Sequence, residues 1–257
     1  MSSDSYLEYS AFRYEGEKTS ARVDHLLVEQ PLAIRINGEP WTLTMQTPGH
    51  EVELAAGLAF TEGVIQRQAI DASNFSVSNN NNMTSVDIMV PEAMLQRNEM
   101  RKRTLLSLSS CGICGRTELP VITEGRTNGN KFNPAAIPHM IEKMRALQTL
   151  FATTGGCHAA TAFDNSGEVI CSMEDIGRHN AVDKVIGRLL LNNTLHHAKA
   201  ITVSSRVSYE IIVKCYAAAV PVLIAVSAPS SLAVDMAKEF GMSLYGFCRE
   251  DRFTQYA

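Results

Sequence analysis

The sequence carries little positive charge and no long hydrophobic run. Its 257 residues include 23 Lys and Arg against 27 Asp and Glu, a formal net charge of −4. A chain without an overall basic field is not expected to bind nucleic acid or an anionic membrane surface. No apolar run approaches the roughly 20 residues that a membrane-spanning helix needs. The first residues, Met1 to Ser5, lack the basic start and apolar segment of a signal peptide, which predicts a cytoplasmic protein.

Cysteines are few, and their spacing does not suggest a disulfide framework. There are six, four of them isolated, and a cytoplasmic location predicts that they are reduced. A structural zinc site needs four ligands, usually from a second CxxC or a matched His pair, and the sequence has no second CxxC. We therefore predict no metal centre. Cys157 and His158 could still complete a zinc site in space, so a structural zinc protein stays an alternative.

Several nucleotide and deaminase signatures are also missing. The glycine spacing matches neither GxGxxG nor the P-loop pattern. A zinc deaminase needs H-x-E and P-C-x-x-C, but Ser110 precedes Cys111 here and no H-x-E lies upstream. Deamination is therefore not expected.

The most distinctive stretch holds two thiols, Cys111 and Cys114, separated by two residues. Gly112 and Gly115 remove side chains that would crowd an incoming reactant. Basic side chains flank the motif at Arg101, Lys102, Arg103 and Arg116. Their charge would favour the nucleophilic thiolate, and a second thiol can resolve what the first one carries. The residues after Cys114 do not read as a helix, unlike those of a thioredoxin-type pair. The stretch predicts a thiol that carries or transfers a group.

The first half of the chain predicts a smaller, strand-rich α+β domain over residues 1–130. Residues 1–24 are polar and mixed, which indicates a loose start. Asn37-Gly38 between alternating runs predicts a hairpin. A helix over 50–59 closed by Gly63 should follow. A second hairpin around residues 79–82 and a short helix over 91–101 complete this half.

The second half, residues 131–257, predicts an α/β domain. A helix from Pro134 carries an apolar stripe that extends to Phe151. Strands then alternate with helices, which is typical of a layered α/β domain with parallel pairing. The predicted hairpin covers 158–163 and 169–173, the later strands 200–203, 222–226 and 243–247, and the helices 178–191, 209–219 and 232–240.

The loops of this second domain are rich in small polar and charged residues. In α/β sheets the ligand site lies beyond the carboxyl ends of the strands, where free helix amides attract anions. We therefore predict a phosphate-bearing ligand, with Asp183 able to accept from the NH groups of a base. The alternative, without a ligand, is that the serines cap helices and the charged side chains form a solvent-exposed face. The candidate residues are Gly155, Gly156, His158, Asp175, Arg178, His179, Asn180, Asp183, Lys184, Ser205, Arg206, Ser208, Ser227 and Ser230.

Six motifs in this order resemble the formate dehydrogenase accessory sulfurtransferase family (FdhD/NarQ). They are SSCGICG at 109–115, TGGCHAA at 154–160, EDIGRHNAVDK at 174–184, SSRVSYE at 204–210, VSAPSSLAVD at 226–235 and GFCREDRF at 246–253. The resemblance implies a mixed α/β fold in which the larger domain is a cytidine-deaminase-like sandwich. It also implies a homodimer.

The resemblance further implies an enzyme, a sulfurtransferase with a persulfide intermediate. A cysteine desulfurase would load sulfur onto Cys111, with Cys114 as its partner, and the sulfur would pass to a molybdenum (or tungsten) bis(pterin guanine dinucleotide) cofactor for formate dehydrogenase. A guanine nucleotide such as GDP would occupy the same site. The cofactor contacts implied by the last motif are Phe247, Cys248, Arg249, Glu250, Asp251 and Arg252. The competing hypothesis is a non-catalytic chaperone that binds the cofactor and delivers it.

Overall fold

Three β-sheets are present in the computed structural model, which describes residues 5–80, 83–97 and 132–257. Within these residues the protein is a mixed α/β chain, as the sequence predicts. No helix in the described ranges is long and apolar enough to cross a bilayer. The boundary predicted near residue 130 lies outside the described residues and stays a prediction.

A long β-hairpin forms where the sequence indicated a loose start, so that prediction is wrong. β1 (Tyr6–Glu15) pairs antiparallel with β2 (Lys18–Leu27) along its whole length. In the outer half of the hairpin, one face carries uncharged residues, among them the exposed Phe12, Tyr14 and Val23. A strand is usually recognised in a sequence by alternating apolar and polar residues, which reflect one buried and one exposed face. Both faces of this hairpin are exposed, so that alternation is weak.

The next sheet contains both hairpins that the sequence predicts. Its strands are β3 (Gln30–Ile36), β4 (Glu39–Gln46), β5 (Phe75–Asn80) and β6 (Met83–Ile88), in the order β4-β3-β6-β5. Asn37 and Gly38 both have positive φ, 49° and 78°, as the two-residue turn between twisted strands requires. The helix predicted over 91–101 is wrong for residues 91–96, where a 3₁₀ turn, Glu92–Met94, gives way to extended Leu95. Arg97 is helical, and the rest of the predicted segment lies outside the described residues.

The largest sheet has six strands in the order β12-β11-β10-β9-β7-β8. β9, β10 and β11 are parallel, and β7 runs antiparallel between β9 and β8. The strand bounds are β7 His158–Phe163, β8 Val169–Asp175, β9 Ala200–Val203, β10 Val222–Ala225, β11 Ser243–Arg249 and β12 Arg252–Gln255.

Helices cover both faces of this sheet, which confirms the α/β prediction for the second half. The helices of the described residues, in chain order, are α1 Glu51–Thr61, α2 Ile137–Leu147, α3 Thr149–Thr154, α4 Arg178–Leu191, α5 Tyr209–Ala217 and α6 Ser231–Glu239. Apolar residues of α4, α5 and α6 form one core with the sheet, and those of α2 form another on the opposite face.

The helix predicted from Pro134 to Phe151 is interrupted at Gln148, whose ψ of 67° is not helical. The carboxylate of Glu174 accepts from the backbone N–H groups of Leu150 and Phe151, at 2.8 and 2.9 Å, and so supports a new helix start. The break removes Phe151 from the apolar stripe, and its side chain is exposed.

The two halves of the chain meet where α1 crosses α4. Helix α1 ends at Thr61, and Gly63 follows with φ 69°, as predicted. A Cβ on Gly57 would lie 1.9 Å from the carbonyl oxygen of Asp183, and one on Gly187 would lie 1.9 Å from that of Glu53. Only glycine permits backbones to pack this closely.

Candidate functional site

Five polar loops meet at one edge of the six-stranded sheet. The strand directions place the carboxyl ends of β8, β9, β10 and β11 at this edge, together with the start of β7. We call this the ligand edge and define it by the loops 154–158, 175–180, 204–208, 226–230 and 246–252. The five predicted loops therefore converge at one sheet edge, as expected for an α/β fold.

Hydrogen bonds join neighbouring loops of the ligand edge. The N–H of Val207 donates to Ala228 at 3.1 Å, and that of Phe247 donates to Ser227 at 3.2 Å. The hydroxyl of Ser204 accepts from the N–H of Ala159 at 2.9 Å. The loops thus form one connected surface.

A cavity of about 570 Å³ opens between this edge and helices α2 and α3. Its walls include the predicted Gly155, Gly156 and His158. Gly155 and Gly156 are exposed, and His158 is half-buried at the start of β7. The cavity is large enough for a small-molecule ligand.

Cationic groups surround His158. Burial lowers the pKa of its imidazole, and the nearby Arg178, His179 and Arg206 lower it further, against the opposing effect of Asp175. His158 is therefore neutral at pH 7. The same charges make this part of the edge attractive to anions, although the chain as a whole is negative.

Asp175 and Lys184 form a buried ion pair, with 2.7 Å between Lys184 Nζ and Asp175 Oδ2. Asn180 is also buried and donates from Nδ2 to Asp175 Oδ1 at 3.0 Å. These three predicted ligand residues therefore bond one another beneath the edge.

Asp183 lies deeper still. Both of its carboxylate oxygens accept from Lys214 Nζ, at 3.0 and 2.8 Å, and Oδ1 also accepts from Thr61 at 2.8 Å. Burial raises the pKa of this carboxyl, and the Lys214 ammonium opposes the rise. The pairing of Asp183 with a guanine base remains a prediction, and in this structure its oxygens are engaged by protein groups.

The serines divide into structural and open positions. Ser230 caps helix α6 by accepting from the N–H of Ala233 at 3.2 Å, and Ser205 donates to the carbonyl of Arg206 at 2.9 Å. Ser208 lies 3.4 Å from His179 Nε2. Ser208 and Ser227 are half-buried, and Arg206 is exposed.

The segment from Phe247 to Arg252 forms the outer rim of the edge. Phe247 has a left-handed backbone, φ 54°, at a bulge in β11, and its ring is 47% exposed. A large apolar side chain held toward solvent in a strained conformation is typical of a functional position. Arg249, Glu250, Asp251 and Arg252 are also exposed, whereas Cys248 is fully buried in the core.

The described cysteines are poor nucleophiles. Burial raises the pKa of Cys171 and Cys215 to about 12 and that of Cys248 to about 11. Burial and the nearby Glu174 carboxylate, 3.1 Å from its Sγ, raise the pKa of Cys157 as well. Each of these thiols is therefore protonated near neutral pH.

Cys111 and Cys114 lie outside the described residues, so their predicted roles stay predictions. In the described ranges, no three His, Cys, Asp or Glu side chains gather in a way that could hold a metal ion.

Sequence reasoning missed the cavity-lining residues that precede the motif at 154–160, which are Arg145, Gln148, Phe151 and Ala152. They lie on the segment that the pattern indicated as one amphipathic helix. The pattern gave no signal for them, because the break that turns Phe151 outward depends on the distant Glu174.

The fold and edge define a class of protein: a mixed α/β protein with a cavity beside a loop-built, locally cationic sheet edge. The sequence profile of the FdhD/NarQ family matches residues 27–257, and the chain belongs to that family. It is 40% identical to the sulfur carrier protein FdhD of Streptomyces coelicolor, over 93% of this chain and 89% of that protein. It is 38% identical to the protein of the same name from Streptomyces avermitilis, with the same coverage.

A solved structure is also similar. It is a crystal structure described as a formate dehydrogenase accessory protein, from Desulfotalea psychrophila, with a TM-score of 0.74 and 23% identity. The match covers 98% of this chain and 96% of that chain. At this level of identity, the likeness supports the fold alone.

Proposed function

We propose that this protein is a sulfur carrier that serves formate dehydrogenase. Membership of the FdhD/NarQ family and relatives named as sulfur carriers support the proposal. A carrier needs a nucleophilic thiol and a surface that receives the acceptor of the sulfur. The chain offers candidates for both.

One observation supports the choice of the carrying thiol. All four described cysteines have raised pKa values and are buried or half-buried, so none is suited to attack. Of six cysteines in the sequence, this leaves Cys111 and Cys114, which lie between glycines and beside basic residues. We assign the persulfide to Cys111.

The loading step is a thiol exchange. The Cys111 thiolate attacks the terminal sulfur of a persulfide on a cysteine desulfurase. The S–S bond of the desulfurase breaks, its cysteine leaves as a thiolate, and Cys111 holds the new persulfide. No net oxidation occurs.

Release of the terminal sulfur as sulfide needs two electrons. Cys111 and Cys114 can supply them together by forming a disulfide. The Cys114 thiolate attacks the inner sulfur of the Cys111 persulfide, and the terminal sulfur leaves as hydrosulfide. The two cysteines become a disulfide, so their oxidation balances the reduction of the sulfane sulfur. A dithiol reductant then returns the pair to thiols.

The acceptor in this proposal is the molybdenum bis(pterin guanine dinucleotide) cofactor, bound as substrate at the ligand edge. Its phosphates suit the cationic surroundings of Arg178 and Arg206. The exposed Phe247 ring suits stacking on a planar base. GDP, as a fragment of this cofactor, is the simplest probe of the edge.

Intact mass measurement tests the carrier role. Incubation with a cysteine desulfurase and cysteine, without reductant, should add one sulfur, about 32 Da, that a thiol reductant removes. Cys111→Ala should gain nothing, while Cys171→Ala, a change at a half-buried cysteine, should gain sulfur like the unchanged protein.

Two results would count against this assignment. A persistent gain in Cys111→Ala would place the persulfide elsewhere. No gain in the unchanged protein, with an active desulfurase, would exclude the carrier role and favour a chaperone that only binds and delivers the cofactor.

We also propose that two copies pair through the β1–β2 hairpin. In its outer half, one face is uncharged and exposes Phe12, Tyr14 and Val23, so two such faces can meet without burying an ion. Light scattering should give the mass of two chains, and the double change Phe12→Ser with Tyr14→Ser should give the mass of one. A single-chain mass for the unchanged protein would contradict the pairing.

A further inference from the structure

Thr47, just after strand β4, connects the first half of the chain to the ligand edge. It is almost completely buried. Its N–H donates to Asp175 Oδ2 at 3.2 Å, and its hydroxyl accepts from the N–H of Ile176 at 3.1 Å. Its carbonyl accepts from Lys184 Nζ at 2.8 Å. All three polar groups of one residue therefore bond the β8–α4 region, which is more than 120 positions away in sequence.

The turn that Thr47 holds is tightly constrained from the other side as well. Asp175 Oδ1 accepts from the N–H of Gly177 at 2.7 Å and from Asn180 Nδ2. Asn180 Nδ2 also donates to the carbonyl of Met45 at 2.7 Å. A Cβ on Gly177 would lie 2.9 Å from Asn180 Nδ2, so this turn has no spare space.

This turn determines where helix α4 begins. Gly177 is the N-cap of α4, and Arg178 and His179 are its first two residues. Both of these residues contribute positive charge at His158. The path of the turn therefore decides where these side chains lie at the ligand edge.

We propose that Thr47 is a positioning residue of the ligand edge, whose hydroxyl holds the Ile176–Gly177 turn and thereby places Arg178 beside the bound anion. The proposal rests on the proposed function in one respect, that the ligand edge binds a guanine nucleotide. Thr47 touches no ligand in this scheme and acts only through the turn.

Strand β4 offers a matched control. Thr42 is as buried as Thr47, but its hydroxyl has no hydrogen-bond partner in the described part of the chain. Thr42→Val and Thr47→Val therefore make the same chemical change in the same strand region. Only the second leaves a turn N–H, that of Ile176, without its acceptor.

The first readout needs no ligand. NMR titration should show a higher pKa for His158 in Thr47→Val. The turn then no longer holds Arg178 and His179 beside His158, so these residues lower its pKa less. Asp175 keeps its Lys184 partner, and Arg206 lies on another loop, so their effects on His158 stay. Thr42→Val and Thr47→Ser, which keeps the hydroxyl, should leave this pKa unchanged. His158→Gln identifies the resonance.

The second readout is GDP affinity by calorimetry. Thr47→Val should weaken GDP binding about fivefold, the effect of one ordinary hydrogen bond, while Thr47→Ser and Thr42→Val bind as before. Thr47→Ala replaces Thr47→Val if the valine variant does not fold.

An unchanged His158 pKa in a folded Thr47→Val protein would overturn the positioning role. So would an equal loss of affinity in Thr42→Val, which would show a general packing effect. Failure of the unchanged protein to bind GDP would instead contradict the proposed ligand, and the His158 titration would still decide the role of Thr47.

Discussion

Individual side chains at the ligand edge divide into those that face solvent and those that hold the edge in place. Phe247, Arg206 and Arg249 are exposed and available to a ligand. Asp175 and Asp183 are fully buried and bonded to lysines. The sequence motifs contain both kinds side by side, and the structure shows that the two aspartates are bonded to protein groups.

Phe247→Ala should weaken GDP binding about tenfold, because stacking of a base on an aromatic ring contributes on this order. Its ring is about half exposed, so the melting temperature should change little. Calorimetry and thermal melting measure the two effects. Met89→Ala removes a similarly exposed side chain just after β6 of the four-stranded sheet and should change neither. Equal GDP affinity in Phe247→Ala would remove the ring from the proposed site.

The environment of Glu210 predicts that the protein loses stability at acidic pH. Burial raises the pKa of its carboxyl, but hydrogen bonds with His179 and Ser208 prevail and lower it from 4.5 to about 2. Since the folded-state pKa is depressed, the stabilisation is complete above pH 4.5 and is lost as the pH falls towards 2.

Glu210→Gln should therefore be less stable than the unchanged protein at pH 7, and the difference should shrink as the pH falls from about 4.5 to about 2. Denaturant unfolding at a series of pH values measures this. Glu142→Gln, at an exposed carboxylate beside His139, is the control. A stability difference that is constant with pH would contradict the assignment to Glu210.

Among the secondary-structure elements, α1 has an environment unlike that of a surface helix. It lies between the four-stranded sheet, whose core includes its Leu54 and Leu58, and helix α4. Small residues on the α4 side, above all Gly57, allow the backbones to touch. The position of α1 therefore depends on the absence of side chains as much as on their presence.

Gly57→Ala and Gly187→Ala should each destabilise the protein by about 3 kcal/mol, since the new Cβ would overlap backbone atoms that cannot rotate away. Urea unfolding gives the free energy of unfolding. Gly156→Ala is the control, because its Cβ would meet the Leu27 side chain at 3.5 Å and the Thr154 carbonyl oxygen at 3.9 Å, both ordinary contact distances. Wild-type stability in both helix variants would show that α1 and α4 are farther apart than described.

Across the whole molecule, buried ion pairs join the two halves of the chain. Lys214 of α5 reaches Asp183 of α4 and, at 2.9 Å, the hydroxyl of Thr61 at the end of α1. Lys184 bonds both Asp175 and the carbonyl of Thr47. The bonds from these lysines to Thr61 and Thr47 cross from one half to the other, so the ligand edge depends on residues that precede it by more than 100 positions.

Lys214→Met should cost about 3–5 kcal/mol of stability, because it leaves the Asp183 carboxylate buried without its cation. Lys143→Met removes a lysine whose partner, Glu168, is largely exposed, and should cost under about 1 kcal/mol. Chemical denaturation of both variants gives the comparison. Similar losses would mean that Asp183 is not charged in the folded protein.

Much of the fold could be predicted from local sequence. Asn37-Gly38 predicts its hairpin because few residue pairs accept two positive φ angles. The regular alternation after residue 158 predicts the six-stranded layer because buried strands and amphipathic helices have distinct periods. The β1–β2 hairpin was not predicted, because its strands have no buried face and so no regular alternation of apolar and polar residues.

The sequence by itself determined the α/β class, most helix and strand positions after residue 132, and the motifs that meet at the ligand edge, because these depend on short-range periodicity and turn chemistry. Only the tertiary structure decided that Asp183 and Lys184 pair with protein groups, that Glu174 breaks the helix at Gln148, and that Thr47 supports the edge. Each of these depends on residues far apart in the chain, and no local pattern encodes which distant group will fill a buried hydrogen-bonding position.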